Sequence, residues 1–192
     1  MGLIMSFETL HQQILACRHC QAQLTPNPVL QINPKAKILI AGQAPGRVAD
    51  KANKPFADAS GKRLKQWLGI NDDVFYDPAQ IAILPMAFCF PGSGKSGDLA
   101  PPKICAQLWR EKVLAYLTEV KLTIVLGQYA RAYHLGKNKL NLTQAVAEQN
   151  LTTDKTILLP HPSPRNQHWF KQNTWFESDL LPQLQAQVKQ LI

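Results

Sequence analysis

The sequence predicts an α/β fold built on a mostly parallel four-stranded sheet, and three observations predict it. Four short apolar runs recur along the chain, each ending at a turn residue. Segments of helical spacing separate them, at lengths suited to parallel βαβ crossovers. Three of the runs lead straight into loops that carry chemical side chains. Such loops belong at the carboxyl edge of a parallel sheet, where open α/β proteins bind ligands. A chain of 192 residues suits one domain, 1–192, with an ordinary core.

The elements follow in order. Phe7 to Ala16 has a helical pattern and leads into Cys17. Thr25 to Pro34 carries three prolines and reads as an extended linker. Lys37 to Ala41 is a buried strand ending at Gly42-Gln-Ala-Pro-Gly46, which cannot continue a regular strand. Ser60 to Leu68 puts Leu64, Trp67 and Leu68 on one helical face. Ile81 to Leu84 is a second strand, stopped by Pro85 and followed by the loop Pro91–Gly97. Ile104 to Leu117 is a helix beginning beside Cys105. Leu122 to Leu126 is a third strand, with a helix from Tyr129 to Leu135 and a shorter one from Leu140 to Glu148. Thr156 to Leu159 is the fourth strand and ends at Pro160-His161. Phe176 to Leu191 closes the chain as an amphipathic helix.

The composition excludes a disordered tail, a collagen-like chain and a coiled coil. No apolar run approaches the roughly 20 residues that span a bilayer, and Met1 to Leu10 lacks the pattern of a signal peptide. The expectation is a cytoplasmic protein with no membrane partner. The net charge is +8, which favours polyanionic partners. No acid occurs between Thr9 and Ala49 or between Lys155 and Phe176. Arg18, Lys35, Lys37 and Arg47 lie in the first gap; Lys155, Arg165 and Lys171 lie in the second. Positive potential therefore gathers around the motif loops, as phosphate binding needs.

Four cysteines, Cys17, Cys20, Cys89 and Cys105, include one C-x-x-C pair. In a cytoplasmic chain this suggests a metal or cluster site more than disulfides. By count alone, zinc and an iron–sulfur cluster serve equally well. Ser93-Gly-Lys-Ser96 resembles the end of a phosphate-binding P-loop, but its spacing fails and no helix follows. His161-Pro-Ser-Pro-Arg-Asn166 is more informative. Two prolines stiffen a loop that presents His161, Ser163 and Arg165 directly after a strand, which suits a fixed catalytic or wedge group. Phe56 is either a core aromatic or a base-stacking platform. Trp169, Phe170, Trp175 and Phe176 lie near basic residues in a way that suits nucleic acid. For Trp175 and Phe176, packing of the last helix is the better reading.

Taken together, the motifs make the chain resemble the uracil-DNA glycosylase superfamily, most closely its iron–sulfur (family 4) branch. The features that carry the resemblance are Cys17 and Cys20, Gly42-Gln-Ala-Pro-Gly46, Lys54-Pro-Phe56 with Ala59-Ser-Gly61, Cys89 with Cys105, and His161-Pro-Ser163. The resemblance implies a three-layer α/β/α sandwich and a structural [4Fe-4S] cluster on Cys17, Cys20, Cys89 and Cys105, with zinc the lesser alternative. It implies DNA carrying a damaged or deaminated base as substrate, a monomer, and hydrolysis of the N-glycosidic bond of a flipped base. Phe56 would stack on that base, in a pocket framed by Gly42, Ala44, Pro45, Gly46 and Pro85. His161 would stabilise charge on the departing oxygen. Pro164, Arg165 and Asn166 would form the DNA-inserting loop, and Ser163 would hold a phosphate.

Two departures qualify that reading. Gln43 replaces the glutamate of the family-4 motif and cannot act as a general base, so Asp58 is the nearest water-activating carboxylate and Asp50 a weaker one. Pro85 replaces an asparagine that reads the uracil edge, which leaves the excised base open. Both departures favour an alternative, a non-catalytic nucleic-acid-binding module retaining fold and cluster. A zinc protein of unrelated function is the third reading.

Overall fold

The computed structural model describes residues 5–95, 97–136 and 139–192. Ser96 of the P-loop-like stretch and Met1–Ile4 lie outside the described residues. The first helix, α1 (Phe7–Leu15), is started by Ser6, whose hydroxyl accepts from the Thr9 amide. Strand β1 (Ile38–Ala41) follows, then α2 (Arg47–Ala52), α3 (Ala59–Leu68), α4 (Asp72–Phe75) and β2 (Ile81–Ile83). A small antiparallel hairpin, β3 (Ser93–Gly94) and β4 (Gly97–Asp98), precedes α5 (Lys103–Cys105), a π-helical turn (Ala106–Arg110) and α6 (Glu111–Leu114). Strand β5 (Leu122–Leu126), α7 (Gly127–His134), α8 (Leu142–Ala147) and β6 (Thr156–Leu159) come next. A 3-10 turn (Pro164–Asn166), α9 (Gln167–Gln172), a second π turn (Phe176–Leu180) and α10 (Leu181–Lys189) end the chain.

The central sheet has the order β2-β1-β5-β6 and is parallel throughout, where the sequence suggested mostly parallel. Ile40 pairs with Ile83 on one side and Ile124 on the other. Alternation along β1 sends Ile38 and Ile40 into a core with Leu64, Trp67 and Leu68 of α3 and Leu184 and Val188 of α10. Leu39 faces the opposite core, with Leu10 and Ile14 of α1 and Val113 of α6. Helices thus cover both faces, giving the three layers. Trp169, Phe170, Trp175 and Phe176 join Trp67 in mutual ring contacts. That cluster packs α9 and α10 on the sheet, so the packing reading holds for all four rings.

Several boundaries differ from the sequence reading, for physical reasons. The helix expected over 104–117 is interrupted by the π turn and ends at Leu114. The C-terminal helix also opens with a π turn. Pro182 lies in the first turn of α10 and has no N–H to give to the preceding turn, which leaves room for the wider one. The Pro91–Gly97 loop folds into the β3–β4 hairpin, which ends one residue later, at Asp98. Short α2, α4 and α9 were not expected; each is too short to show a helical period. Among the described residues, no helix is long and apolar enough to cross a membrane.

Candidate active site

A cleft of about 600 Å³ opens at the carboxyl edge of the sheet. The turn after β1, Pro85 after β2 and the loop after β6 form its walls, with Phe56 and Asp58 from the segment before α3. Gly42, Gln43, Ala44, Pro45, Gly46, Phe56, Asp58, Pro85, His161, Ser163, Pro164, Arg165 and Asn166 all line it. The strand order explains the convergence. The chain leaves β1 toward β2 on one side and later crosses to β5 and β6 on the other, so a crevice opens above β1. The Gly42 and Gln43 carbonyls accept from the Met86 and Ala87 amides (2.9 and 3.1 Å), which ties the first motif to the turn after β2.

His161 is held from three directions. Its Nδ1 accepts from the Ser163 amide at 3.2 Å, which assigns the ring proton to Nε2. Its carbonyl accepts from Asn166 Nδ2 at 2.8 Å. Arg63 of α3 donates to the Pro162 and Ser163 carbonyls (3.4 and 3.2 Å). Burial lowers the His161 pKa, partly offset by the negative charges of Asp58 and Asp98. At neutral pH the imidazole is therefore neutral, with one donor. Ser163 Oγ accepts from the Arg165 amide and starts the 3-10 turn. Ser163 and Asn166 thus build the loop as well as line the cleft.

Phe56 sits at φ +55°, a region that bulky residues rarely occupy. Two features hold it there. Its carbonyl accepts from the Tyr76 hydroxyl at 3.3 Å, and it lies against Gly61, where a Cβ would stand 1.8 Å from the Phe56 oxygen. Only glycine fits at 61. The ring meets Phe75 edge-on and also lines the cleft. Phe56 is half-buried, packed against the core on one side and lining the cleft on the other.

Asp58 caps α3 with Oδ1, which accepts from the Gly61 amide at 3.0 Å, while Oδ2 turns toward Gly46. Asp58 is thus a helix cap that also lines the cleft. Asp50 does not line the cleft; its carboxylate accepts from Asn27 Nδ2 at 3.2 Å. Gln43 Nε2 donates to the Leu99 carbonyl at 3.4 Å and fastens the β3–β4 hairpin. The sequence did not single out Asp98 of the lining, nor Arg63 behind it. The one available signal for Asp98 was its place in a loop following a strand that feeds the cleft.

The four cysteines converge on a separate small pocket, lined also by Leu24, Pro26, Ile104 and Leu108. Burial pushes Cys89 up to about 11 and Cys105 up to about 12, and the other cysteines add to both shifts. Four cysteines gathered in one pocket make a soft donor set. Among the described residues, no three donors close on one point as a single ion requires. By donor type, the four cysteines suit an iron–sulfur cluster or zinc.

The uracil DNA glycosylase superfamily matches the chain over residues 30–185. The chain belongs to that superfamily. The type-4 uracil-DNA glycosylase of Sulfurisphaera tokodaii is 26% identical over 148 residues, covering 72% of this chain and 64% of that protein. The type-4 enzyme of Archaeoglobus fulgidus is 38% identical over 65 residues, 33% of each chain. The chain thus spans less than two-thirds of these relatives' length. The superfamily match begins after Cys17 and Cys20.

Proposed function

We propose that this chain, acting as one domain, is a DNA glycosylase that hydrolyses the N-glycosidic bond of a flipped uracil or another deaminated base. One observation carries the proposal: Phe56, held in a strained backbone conformation, and His161, held as a neutral donor, share one cleft with the Asp58 carboxylate. A stacking platform, a hydrogen-bond donor and a carboxylate are what base extrusion and bond cleavage require.

The base enters against Phe56. As the C1′–N bond breaks, its electron pair leaves with the base, and negative charge grows on the pyrimidine oxygen. His161 Nε2–H meets that charge without a proton being lost. Positive charge grows on the sugar, and water attacks C1′ as Asp58 takes its proton. Gln43 aligns the water or base through its amide oxygen, while its Nε2 stays on Leu99. Arg165 and Pro164, exposed at the rim, meet the duplex. Cys17, Cys20, Cys89 and Cys105 would hold a [4Fe-4S] cluster, which would tie the N-terminal segment to the far ends of the hairpin loop and take no part in hydrolysis.

Pro85 offers no side-chain donor to a base edge, and its carbonyl is taken by Arg110 at 2.9 Å. Selectivity for uracil over other deaminated bases is therefore weaker than an asparagine there would give. The test is excision from single- and double-stranded oligonucleotides carrying uracil, hypoxanthine or xanthine, with alkali revealing abasic sites and His161→Ala alongside. Cleavage lost in the variant supports the proposal. A wild type that binds DNA but cleaves none of the three supports the non-catalytic binding module, which the engagement of Gln43 with Leu99 favours.

A further inference from the structure

We infer that Asp98 is a second catalytic carboxylate of the cleft, one that stabilises the cationic sugar at the transition state while opposing the binding of intact DNA. This rests on the glycosylase reading above. Asp58 and Asp98 are the carboxylates among the described residues lining the cleft. They approach the same small volume. An Oδ2 of Asp98 lies 3.5 Å, and one of Asp58 4.0 Å, from where a Cβ on Gly46 would stand. Gly46 has no side chain to fill that space, so both charges face into it.

The placement is costly in a protein built for a polyanion. The chain carries +8 and keeps acids out of the segments around its motif loops. Asp98 nevertheless stands exposed on β4, at the mouth of the cleft. The hairpin carrying it is fastened by Gln43 on Leu99 and crossed by Arg165, whose Nη1 lies 2.3 Å from where a Cβ on Gly97 would be. Gly97, at φ +142°, admits that crossing because it is glycine.

A carboxylate at this point repels the phosphates of bound DNA and attracts the sugar only as it becomes cationic. That is the condition for raising the rate: an interaction stronger in the transition state than in the ground state. The atoms balance with no new reactant. The C1′–N bond breaks, its pair leaves with the base, water oxygen bonds to C1′, and Asp58 receives the proton. Asp98 forms no bond and remains ionised.

A residue that only anchors Arg165 would behave differently on substitution, because its loss would weaken DNA binding and cleavage together. The experiment compares wild type, Asp98→Asn, Asp98→Glu and Asp58→Asn. It measures the single-turnover cleavage rate, and the Kd for an oligonucleotide bearing the 2′-fluoro analogue of the excised nucleoside, whose glycosidic bond resists departure. The expected result for Asp98→Asn is a rate lower by about tenfold or more, with a Kd tighter by about threefold from the removed repulsion. Asp98→Glu recovers part of the rate. An unchanged rate, or a lower rate with weaker binding, overturns the inference and leaves the glycosylase reading intact. A wild type that cleaves none of the three bases overturns both.

Discussion

Two loops close over the same cleft, and they are built on opposite plans. The loop after β6 runs His161 to Asn166 with two prolines, a 3-10 turn capped by Ser163, and Arg63 donating to two of its carbonyls from behind. The hairpin Ser93–Asp98 is exposed at most of its described residues. It is held by a two-residue ladder, by Leu99 bonding back to Gly92, and by contacts from Gln43 and Arg165. The first plan fixes a donor to a position. The second presents a charge at the mouth of the cleft. Each matches a role: a hydrogen bond is sensitive to angle and distance, whereas a charge acting through space tolerates looser placement.

Substitutions on the two sides therefore differ in kind. The largest effect belongs to the fixed side. His161→Ala should lower the cleavage rate by about 10²–10³-fold, as loss of one transition-state donor does, with little change in Tm. Gly61→Ala tests the platform opposite. A Cβ there meets the Phe56 carbonyl at 1.8 Å, and the obstacle is backbone, so the strained segment must move. A loss of more than about 3 kcal/mol in urea unfolding is expected, with cleavage failing at temperatures where the chain is still folded. A stable and active Gly61→Ala would show that the Phe56 conformation is not needed.

Arg63 comes next. It touches no substrate position; it bonds to the Pro162 and Ser163 carbonyls and to Gln167. Arg63→Gln should cost about tenfold in kcat, roughly 1.4 kcal/mol of positioning, with KM nearly unchanged. An equal rise in KM would mean that Arg63 serves DNA binding.

What was legible in the sequence divides along the same line. Residues directly after a strand were readable, because a buried apolar run announces itself and fixes where the next loop lies. Hence order and pattern alone send Gly42–Gly46, the Pro85–Gly97 stretch and Pro160–Arg165 to one cleft, and the structure brings Gly42–Gly46, Pro85, Gly97, His161 and Ser163–Arg165 to its walls. Phe56 and Asp58 followed from the resemblance. Asp98 did not, because Gly-Ser-Gly-Lys-Ser-Gly before it looks like a solvated loop. Arg63 and Arg110 were invisible for another reason. Neither stands in a motif, yet Arg110 is fully buried and donates to the Leu84 and Pro85 carbonyls at 2.9 Å each. A helical pattern gives the direction of a side chain but not which carbonyls a later strand will bring beside it. The π turn at Ala106–Arg110 blurs even that direction.

Acid gives the smallest effect and separates cleft from scaffold. His134 shares a 2.6 Å hydrogen bond with Arg110, and burial together with that cation pushes its pKa down to about 4. His161 is lowered as well, chiefly by burial. In both cases the unfolded chain takes up the proton first. Their contribution to stability is therefore complete above pH 6.5 and declines as pH falls, for His134 down to about 4. The slope for one such group is at most about 1.4 kcal/mol per pH unit. His134→Gln should flatten the pH dependence of urea-unfolding free energy in that window and leave the pH–rate profile alone. His161→Gln should flatten it too, but with the loss of cleavage. Protonating Nδ1 of His161 would break its bond from the Ser163 amide and release the loop that the prolines and Arg63 otherwise fix. In the wild type the rate should therefore hold through pH 6.5, the ordinary histidine value, and fall only below it. A rate that instead rises as pH falls through 6.5 would show that His161 works as the cation, and the fixed loop would then hold a charge, as the hairpin does.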